Sequence, residues 1–569
     1  MNHYLYEPCN RKKYFEYSAH AEQTVMVRSS VYWCKLCKIP IYDEICSICR
    51  QKGKHLTTDI RPVYPAERLL LEIIKGEPMK YRKASVWKGV NSYYVDGKQI
   101  NFSVSDTKGI EPDCIREKLE EYQEENQVNS FAVYAKKFVE ANSAHYNYIT
   151  SEACGYIRKA AEGYEKTDMF VLFSGGKNST VVSDLVMRAL SDQQILHIYG
   201  DTTLEYPETL EYVKRFRKEH PKTPFLISRN NDKDFYDLCE KTSGPPSRVM
   251  RWCCTIFKTG AIQRKITYIF KGKKKVLMFN GLRRNESKAR SKYERDTGET
   301  KIAIQEGASP IIDWMNFDVW LYILTTGVDI NNAYFFGYER VGCWCCPNNG
   351  NCSEVLSSIY MPEQYNRFHN MLVEFSKKIG KPDPEVYVAE GGWKARQGGN
   401  GLEYAKTSVL TFEPCALQEN TINFELQKPI DEGLYELFKP FGYLNRELGN
   451  KRLGEIYVTD KNGKPLLKLQ GHIGSRTLKV SMLDKTDGHC NSFSTLDKKI
   501  KCQITKYQMC MGCLACESVC AKDAISIAAD REGMKSYKIH DTKCVRCGEC
   551  IGHFDGGCYM CRVMRTKIK

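Results

Sequence analysis

The stretch MFVLFSGGKNSTVVSDLVMRAL (169–190) decides the fold of the central part of the chain. Its first five apolar residues predict a buried strand, and the residues after the glycines predict an amphipathic helix. The apolar positions of that helix fall on one face, at 181, 182, 185, 186, 189 and 190. Glycines let the backbone turn sharply and present its N–H groups, and the N-terminus of a helix adds positive dipole. The junction therefore predicts an anion site at Ser174, Gly175, Gly176, Lys177, Asn178 and Ser179.

Short apolar segments alternate with amphipathic ones along the rest of this region. The predicted strands are MFVLF (169–173), QILHIYGD (194–201), PFLIS (224–228) and KVLMFNG (275–281). Strands that alternate with helices in this way form a parallel sheet covered on both faces. The sequence therefore predicts an α/β fold for the central region.

The composition excludes several classes of protein. A chain of 569 residues with 42% hydrophobic and 27% charged residues is typical of a soluble globular protein of several domains. No apolar run approaches the roughly 18 residues that a bilayer span needs, and no apolar stretch follows the N-terminal charges. These features predict a cytoplasmic protein with no membrane partner.

Cysteine is unusually frequent, with 26 residues. In a reducing compartment such a count indicates metal ligation or redox work, not disulfides. The formal charge of +15 counts thiols as neutral. One four-thiolate zinc and three four-thiolate clusters would each add about −2, leaving a mildly basic protein. Nucleic acid is therefore a candidate partner on weak evidence.

The first cysteine group has the spacing of a structural zinc site. Two pairs, each C-x2-C and eight residues apart, place thiolates on two turns, as a tetrahedral zinc requires. The ligands are predicted to be Cys34, Cys37, Cys46 and Cys49. A closed site of four thiolates leaves no open position, which indicates a structural or docking role.

The last cysteine group has the spacing of a ferredoxin. Three thiolates at short gaps reach one cubane, while the fourth crosses to the partner cluster. The predicted ligands are Cys510, Cys513, Cys516, Cys520, Cys544, Cys547, Cys550 and Cys558, with Cys561 as the alternative to the last. About 65 residues here resemble the bacterial two-cluster ferredoxin family, although Ala521 replaces its usual proline. The resemblance implies two 4Fe-4S clusters that pass single electrons; zinc in their place is the alternative.

The central region resembles a second family. SGGKNS is similar to the SGGKDS loop of PP-loop adenine-nucleotide enzymes. GDTTLEYPETLEYV (200–213), GLRRNESKAR (281–290) and PIIDWMNFDVWLYI (310–323) resemble, in the same order, segments of the phosphoadenosine phosphosulfate (PAPS) reductase family. The resemblance implies an adenine nucleotide at the carboxyl edge of the sheet, with its phosphates on the SGGKNS loop. Asp201 would lie near the phosphates or a metal such as Mg²⁺.

The same resemblance implies further site residues. Arg283, Arg284 and Arg290 suit a sulfate or terminal phosphate, since guanidinium groups match such oxyanions; a solvated basic face is the alternative. Another four cysteines resemble the CC…CxxC signature of iron–sulfur sulfonucleotide reductases, which implies a third 4Fe-4S cluster on Cys253, Cys254, Cys343 and Cys346. Cys345 offers a competing ligand, and Lys258 fits the lysine near that cluster.

These modules predict five domains. They are a zinc ribbon (25–55), an α+β and helical connection (56–165), a PAPS reductase-like PP-loop domain (166–400), a small α+β domain (401–500) and a two-cluster ferredoxin domain (501–569). SYYVDGKQINFSV (92–104) and EIYVTDKNGKPLLKLQG (455–471) predict hairpins, and 391–401 predicts a linker.

The leading function is reductive. An oxidoreductase would split adenylyl sulfate or PAPS to sulfite and nucleotide, with Lys177, Arg283, Arg290 and Asp201 as its catalytic residues and an external donor refilling the ferredoxin module. In the family, a cysteine in an E-C-G-L-H-type motif attacks the sulfur. That motif is missing here, and Cys352 and Cys415 are the nearest spare thiols.

Two other functions stay open. A sulfurtransferase would activate its substrate with ATP, release pyrophosphate and deliver sulfur to a nucleic acid or small acceptor, as enzymes of DNA phosphorothioation and tRNA thiolation do. The missing cysteine is then expected. A non-catalytic electron conduit or scaffold is the third, against which the intact SGGKNS loop argues. Reduction leads because an electron-supply module lies on the same chain.

Overall fold

The structure, a computed structural model, contains five β-sheets within the described residues, with helices packed around them. It describes residues 30–90, 92–102, 104–107, 110–248, 251–273, 275–287, 290–297, 305–395, 409–485, 490–510, 515–529, 535–552 and 565–568. In this part of the chain, no helix is both long and apolar enough to cross a membrane.

The predicted α/β region forms a six-stranded sheet. Five strands are parallel and a short antiparallel strand closes one edge; in spatial order they are Phe225–Arg229, Leu196–Asp201, Met169–Phe173, Val276–Phe279, Gln305–Ala308 and Asp296–Thr297. The strand Met169–Phe173 is buried because helices cover both faces of the sheet, Lys177–Leu190 on one face and Gly260–Ile269 on the other. The prediction of a parallel sheet between two helical layers is confirmed.

The N-terminal region packs on the central domain. Its three-stranded sheet consists of Val31–Cys34, Ile39–Ile41 and Lys54–Thr57, and its four-stranded sheet of Ile60–Pro62, Val86–Gly89, Tyr93–Val95 and Lys98–Ile100. The turn between the last two strands is at Asp96-Gly97, as predicted, with both φ angles positive. Asp59 caps the helix Asn316–Thr326, since its carboxylate accepts the backbone N–H groups of Asn316 (3.1 Å) and Phe317 (3.0 Å).

The C-terminal region is built on a seven-stranded sheet. Its strands, in spatial order, are Tyr443–Asn445, Glu455–Thr459, Pro465–Gln470, Thr477–Met482, Thr421–Glu425, Val409–Pro414 and Arg565–Ile568. The predicted hairpin with its turn at Asn462-Gly463 is present. The last strand pairs in parallel with Val409–Pro414, so the segment after the ferredoxin cysteines returns to the neighbouring sheet. A separate hairpin, Ile525–Ala529 with Lys535–Ile539, belongs to the ferredoxin region.

Helices and the loops that join them make up the remaining described chain. The α-helices are Pro65–Ile74, Pro112–Glu121, Gln123–Asn126, Phe131–Ala141, Ser143–Ala161, Lys177–Leu190, Pro207–Glu219, Phe235–Asp237, Gly260–Ile269, Asn316–Thr326, Asn351–Tyr360, Pro362–Lys378, Pro384–Ala389, Gly392–Ala395, Glu432–Glu436, Phe493–Met509, Ala515–Ser518 and Glu549–Gly552. Two segments, Leu238–Ser243 and Cys254–Thr259, are wound as π-helix.

The predicted linker is only partly a linker. Gly392–Ala395 is helical, and Trp393 within it is buried against Phe368. The glycine-rich pattern concealed this contact because one tryptophan stands between two glycine pairs. The rest of 391–401, from residue 396, lies outside the described residues.

Candidate functional site

The phosphate loop is closed by two serine hydroxyls. The backbone N–H and the hydroxyl of Ser174 both donate to the Ser179 oxygen, at 3.2 and 3.1 Å. The Ser179 hydroxyl donates in turn to the Gly176 carbonyl at 2.8 Å. Gly175 has a φ of +70°, and a Cβ there would lie 2.9 Å from the Thr209 methyl group. Only glycine fits this turn without strain.

The lysine of the loop is turned inward. Lys177 Nζ donates to the Glu339 carbonyl at 2.7 Å and lies 4.8 Å from the centre of the Tyr334 ring. Burial lowers the pKa of Lys177 well below its ordinary value, and the charges of Arg283 and Arg61 lower it further. An anion beside this ammonium group would relieve both effects.

The Tyr334 hydroxyl caps the start of the helix that follows the loop. It accepts the backbone N–H of Lys177 at 2.9 Å. A side chain at Gly176 would crowd this hydroxyl, since its Cβ atom would lie 3.2 Å away. Burial raises the pKa of Tyr334 to about 12, so the hydroxyl keeps a proton to donate at neutral pH. No pattern in the sequence pointed to Tyr334, because it lies far along the chain from the loop and in no recognised motif.

Asn178 joins the loop to the segment 281–290. Its side-chain amide donates to the Gly281 carbonyl at 3.3 Å and to the Glu286 carboxylate at 2.9 Å. Glu286 also pairs with Arg290. The aspartate common at this position would place a second carboxylate against Glu286, so the asparagine avoids a repulsion between like charges.

The predicted arginines all have protein partners. Arg283 is buried and donates to the Trp314 carbonyl and the Asn316 side chain, each at 3.1 Å. Its Nε has no hydrogen-bond partner among the described residues. Arg284 and Arg290 pair with acidic side chains and are partly exposed. A binding role for these arginines therefore stays a prediction.

Another arginine, Arg340, lies between two residues whose carbonyl groups are close to the loop. On one side of Arg340, the Glu339 carbonyl accepts the Lys177 ammonium group. On the other side, the Val341 carbonyl is close to Gly176 of the loop: a Cβ atom added to this glycine would lie 3.8 Å from it. Arg340 is exposed, and no ion pair to it is found within the described ranges. Burial and the charges of two other cations are the larger causes of the low pKa of Lys177, and the charge of Arg340 lowers it further.

Asp201 ends the strand beside the loop strand. Leu196–Asp201 and Met169–Phe173 are parallel neighbours, so Asp201 and the loop share the carboxyl edge of the sheet. Its carboxylate accepts the Thr203 N–H at 2.8 Å, and Arg229 lies 3.6 Å away. Contact with a phosphate or a metal stays a prediction for this residue.

The second cysteine group lies at the same edge. Cys343 forms an isolated antiparallel bridge with Glu205, and its sulfur is 3.3 Å from the Thr202 hydroxyl. Burial raises the pKa of both Cys343 and Cys346, and the charge of Cys254 raises each further. Cys254 is therefore close enough to act on Cys343 and Cys346 through its charge, although 88 residues separate it from Cys343 in sequence.

Hydrogen-bond donors and a cation surround these sulfurs, as an anionic iron–sulfur group requires. The Asn348 amide lies 3.9 Å from the Cys346 sulfur. Burial alone would lower the pKa of Lys258, but Glu205, Cys343 and other nearby thiols outweigh it and raise that pKa. The residues present fit such a group.

The helix after Cys253 and the second cysteine of CWCC, Cys345, complete this picture. Cys254–Thr259 is wound as π-helix, an irregularity common at functional sites, and it would supply the local constraint that two adjacent ligands need. Cys345, the competing ligand, lines a cavity with Phe368 and Trp393 and is buried in the hydrophobic core.

The N-terminal cysteines are close enough to bind one metal ion. The sulfurs of all four lie within 4.8 Å of one another, on Cys34, Cys37, Cys46 and Cys49. The Cys37 backbone N–H points at the Cys34 sulfur at 3.4 Å, as is usual where thiolates are held in turns. This donor set fits zinc; its identity as the metal stays a prediction.

The ferredoxin cysteines are partly described. Cys513, Cys558 and Cys561 lie outside the described residues, and the other six predicted ligands lie within them. Burial raises the pKa of Cys544, and the charges of Cys520 and Cys547 contribute. Cys520 is therefore near Cys544; its role as a crossing ligand stays a prediction.

A buried tyrosine, Tyr537, lies near cysteines of both trios. The Tyr537 hydroxyl has no oxygen or nitrogen partner in the described part of the chain. Burial raises its pKa, and the charges of Cys516, Cys550 and Cys510 raise it further. A buried hydroxyl whose neighbours are thiols fits a sulfur-rich cluster that accepts its hydrogen bond.

Comparisons with known proteins find two domains in the chain. Residues 168–349 match the phosphoadenosine phosphosulfate reductase domain, and residues 509–553 match the 4Fe-4S dicluster domain. The chain contains a PAPS reductase domain. It therefore joins a nucleotide-binding PP-loop fold to an iron–sulfur ferredoxin domain, as the sequence predicted.

Known relatives cover only part of the chain. The uncharacterized protein MJ0973 of Methanocaldococcus jannaschii is 33% identical over 39% of this chain, which spans about half (51%) of that relative. An adenosine 5'-phosphosulfate reductase of Anoxybacillus flavithermus is 28% identical over 34% of this chain and 77% of its own. The solved PAPS reductase of Candida auris, in a phosphate complex, is 15% identical, with a TM-score of 0.27 over 35% of this chain and 95% of its own.

Proposed function

We propose that this protein reduces a sulfonucleotide, adenylyl sulfate or PAPS, with electrons from its own ferredoxin domain. One observation carries the proposal: the phosphate loop and the second cysteine group lie at the same edge of one parallel sheet. Ligands in α/β proteins bind at this edge, beyond the carboxyl ends of the strands. A single nucleotide can therefore meet both groups.

The chain's own residues would bind and orient the nucleotide. Backbone N–H groups at the start of the helix Lys177–Leu190 suit phosphate oxygens. Lys177 and Arg340 would neutralise the anion, since Lys177 is buried at the loop and the charge of Arg340 is close enough to act on it. The protonated Tyr334 hydroxyl would donate a hydrogen bond to the same group. Asn178 would hold the loop against the 281–290 segment.

The reaction balances with two electrons. They enter the S–O bond of the sulfonucleotide, the bond breaks, sulfite leaves, and the bridging oxygen stays with the nucleotide phosphate. Iron–sulfur clusters, when bound, supply such electrons singly. An external reductant would return two electrons to the ferredoxin domain for each sulfite formed.

The spare thiols leave room for the alternative function. Partial desolvation raises the pKa of Cys352, an exposed residue, and the neighbouring charges of Lys88 and Glu339 act on it as well; the Glu339 carbonyl in turn binds Lys177. Cys415 lies beside Lys479 in the seven-stranded sheet. Neither stands in the family's motif, which favours ATP-dependent sulfur transfer as the second candidate.

Anaerobic spectroscopy on the cluster-replete protein tests the proposal. The protein is reduced with dithionite, freed of excess and mixed with adenylyl sulfate, PAPS or ATP. We expect a sulfonucleotide to restore the oxidised spectrum, and Arg340→Ala to raise the concentration needed about tenfold, or about 1.4 kcal/mol. Lys214→Ala, an exposed cation on the helix Pro207–Glu219, is the matched control. A reduced spectrum that no sulfonucleotide changes would contradict the proposal.

A further inference from the structure

The first ferredoxin half-site lies against the PAPS reductase domain. The short helix Ala515–Ser518, which carries Cys516, packs on the π-helix Cys254–Thr259. The strand Ile525–Ala529 packs on the other π-helix, Leu238–Ser243. Cys516 also belongs to the same hydrophobic cluster as Trp252, which precedes the cysteine pair. The elements that hold the two predicted iron–sulfur sites are therefore in direct contact.

An ion pair crosses this contact. Lys233 Nζ lies 3.0 Å from Glu517 Oε1, and the two side chains are 32% and 21% exposed. The other oxygen of Glu517 accepts the backbone N–H of Ile527 at 3.2 Å. Glu517 thus links its own helix, the ferredoxin hairpin and the PAPS reductase domain. Partial burial makes such a pair stronger than one on an open surface.

The second half-site faces a different module. Lys439, next to the seven-stranded sheet, pairs with Asp541 at 3.0 Å. The Arg546 guanidinium lies 3.5 Å from the centre of the Tyr443 ring, on the edge strand of that sheet. Of the two half-sites, the one that contains Cys516 is therefore the one on the PAPS reductase domain.

We propose that electrons leave the ferredoxin domain through the half-site of Cys516, and that the Lys233–Glu517 pair holds this half-site on the helix that begins with Cys254. This inference rests on the proposed function, because it names the electron route to the same site. Each transfer would oxidise a cluster of the ferredoxin domain by one electron and reduce by one electron the cluster that the cysteine group of the PAPS reductase domain would hold. Two transfers match the two electrons that the S–O bond accepts. Lys233 and Glu517 are positioning residues in this route.

Charge reversal at the pair tests the inference on the full, cluster-replete chain. The variants are Glu517→Lys, Lys233→Glu and the two combined, which restores an ion pair of opposite sense. Lys166→Glu is the matched control, because Lys166 pairs with Asp192 at 2.7 Å and has similar exposure but lies in another part of the domain. Iron content is measured first, so that loss of a cluster is not mistaken for slower transfer.

Two readouts separate this inference from the proposed function. The first is the magnetic coupling between clusters in the dithionite-reduced protein, seen by electron paramagnetic resonance without any nucleotide. The second is the rate at which adenylyl sulfate reoxidises the ferredoxin domain. We expect both single variants to weaken the coupling and slow reoxidation about tenfold or more at unchanged iron content, and the double variant to recover most of both.

Each result decides one of the two proposals. Coupling and rate unchanged in the single variants, or changed equally in the Lys166→Glu control, would overturn the electron route. No reoxidation by a sulfonucleotide even in the unaltered protein, while the variants still lose coupling, would overturn the proposed function and leave the route standing.

Discussion

Lys177 is held where its positive charge is poorly compensated. Its ammonium group lies 4.8 Å from the centre of the Tyr334 ring, and among the described residues its hydrogen-bond partner is a carbonyl oxygen, that of Glu339. Arg283 and Arg340 add repulsion. A bound phosphate or sulfate would offset this repulsion, so the loop is arranged to favour an anion over none.

The change Lys177→Met separates stability from binding. Because the folded-state pKa of Lys177 is lowered, the unfolded chain binds more protons, and the native lysine destabilises the fold at all pH values below its ordinary value near 10.5. We expect the methionine variant to melt at a higher temperature at pH 7, with a gain that shrinks as pH rises toward 10. Nucleotide affinity should fall at least about tenfold.

Thermal melts between pH 7 and 10 and nucleotide titrations measure both effects. Lys214→Ala serves again as the control, since its side chain is exposed. A lower melting temperature for Lys177→Met, or a gain that does not depend on pH, would contradict this account of the lysine.

At the scale of elements, the position of the pair Cys253–Cys254 depends on the π-helix that begins at Cys254. Cys254 is the first residue of that helix, and Cys343 is placed by its bridge to Glu205. We expect Cys254→Ala to lower iron from about twelve to about eight atoms per chain, since one cubane of three would be lost. Zinc should stay at about one.

Metal analysis of purified protein checks this prediction. Cys154→Ala, at a half-buried position on the helix Ser143–Ala161, is the matched control. Iron that stays near twelve in Cys254→Ala, or falls equally in the control, would contradict the assignment of this cysteine group.

The elements also show which features a sequence can predict. The phosphate loop was predictable because its strand, glycines and helix are contiguous, and the hairpin at Asp96-Gly97 because its turn residues are local. Tyr334 and Arg340 were not, since each meets the loop only through tertiary packing. The same holds for Arg565–Ile568, which pairs in parallel with a strand about 150 residues earlier.

At the scale of the whole molecule, the modules share their packing. One hydrophobic cluster contains Trp252 of the PAPS reductase domain, Val480 of the seven-stranded sheet and Ile527 of the ferredoxin hairpin. The ferredoxin domain is therefore fixed in place by apolar burial, which favours electron transfer within one chain over transfer through a mobile tether.

The most direct test of the central claim is the yield of sulfite in a single turnover. Dithionite-reduced protein, freed of excess reductant, is mixed anaerobically with adenylyl sulfate or PAPS, and sulfite is counted against the electrons lost from the clusters. The account predicts one sulfite for every two electrons. No sulfite from either nucleotide, together with pyrophosphate release from ATP when a sulfur acceptor is supplied, would contradict it.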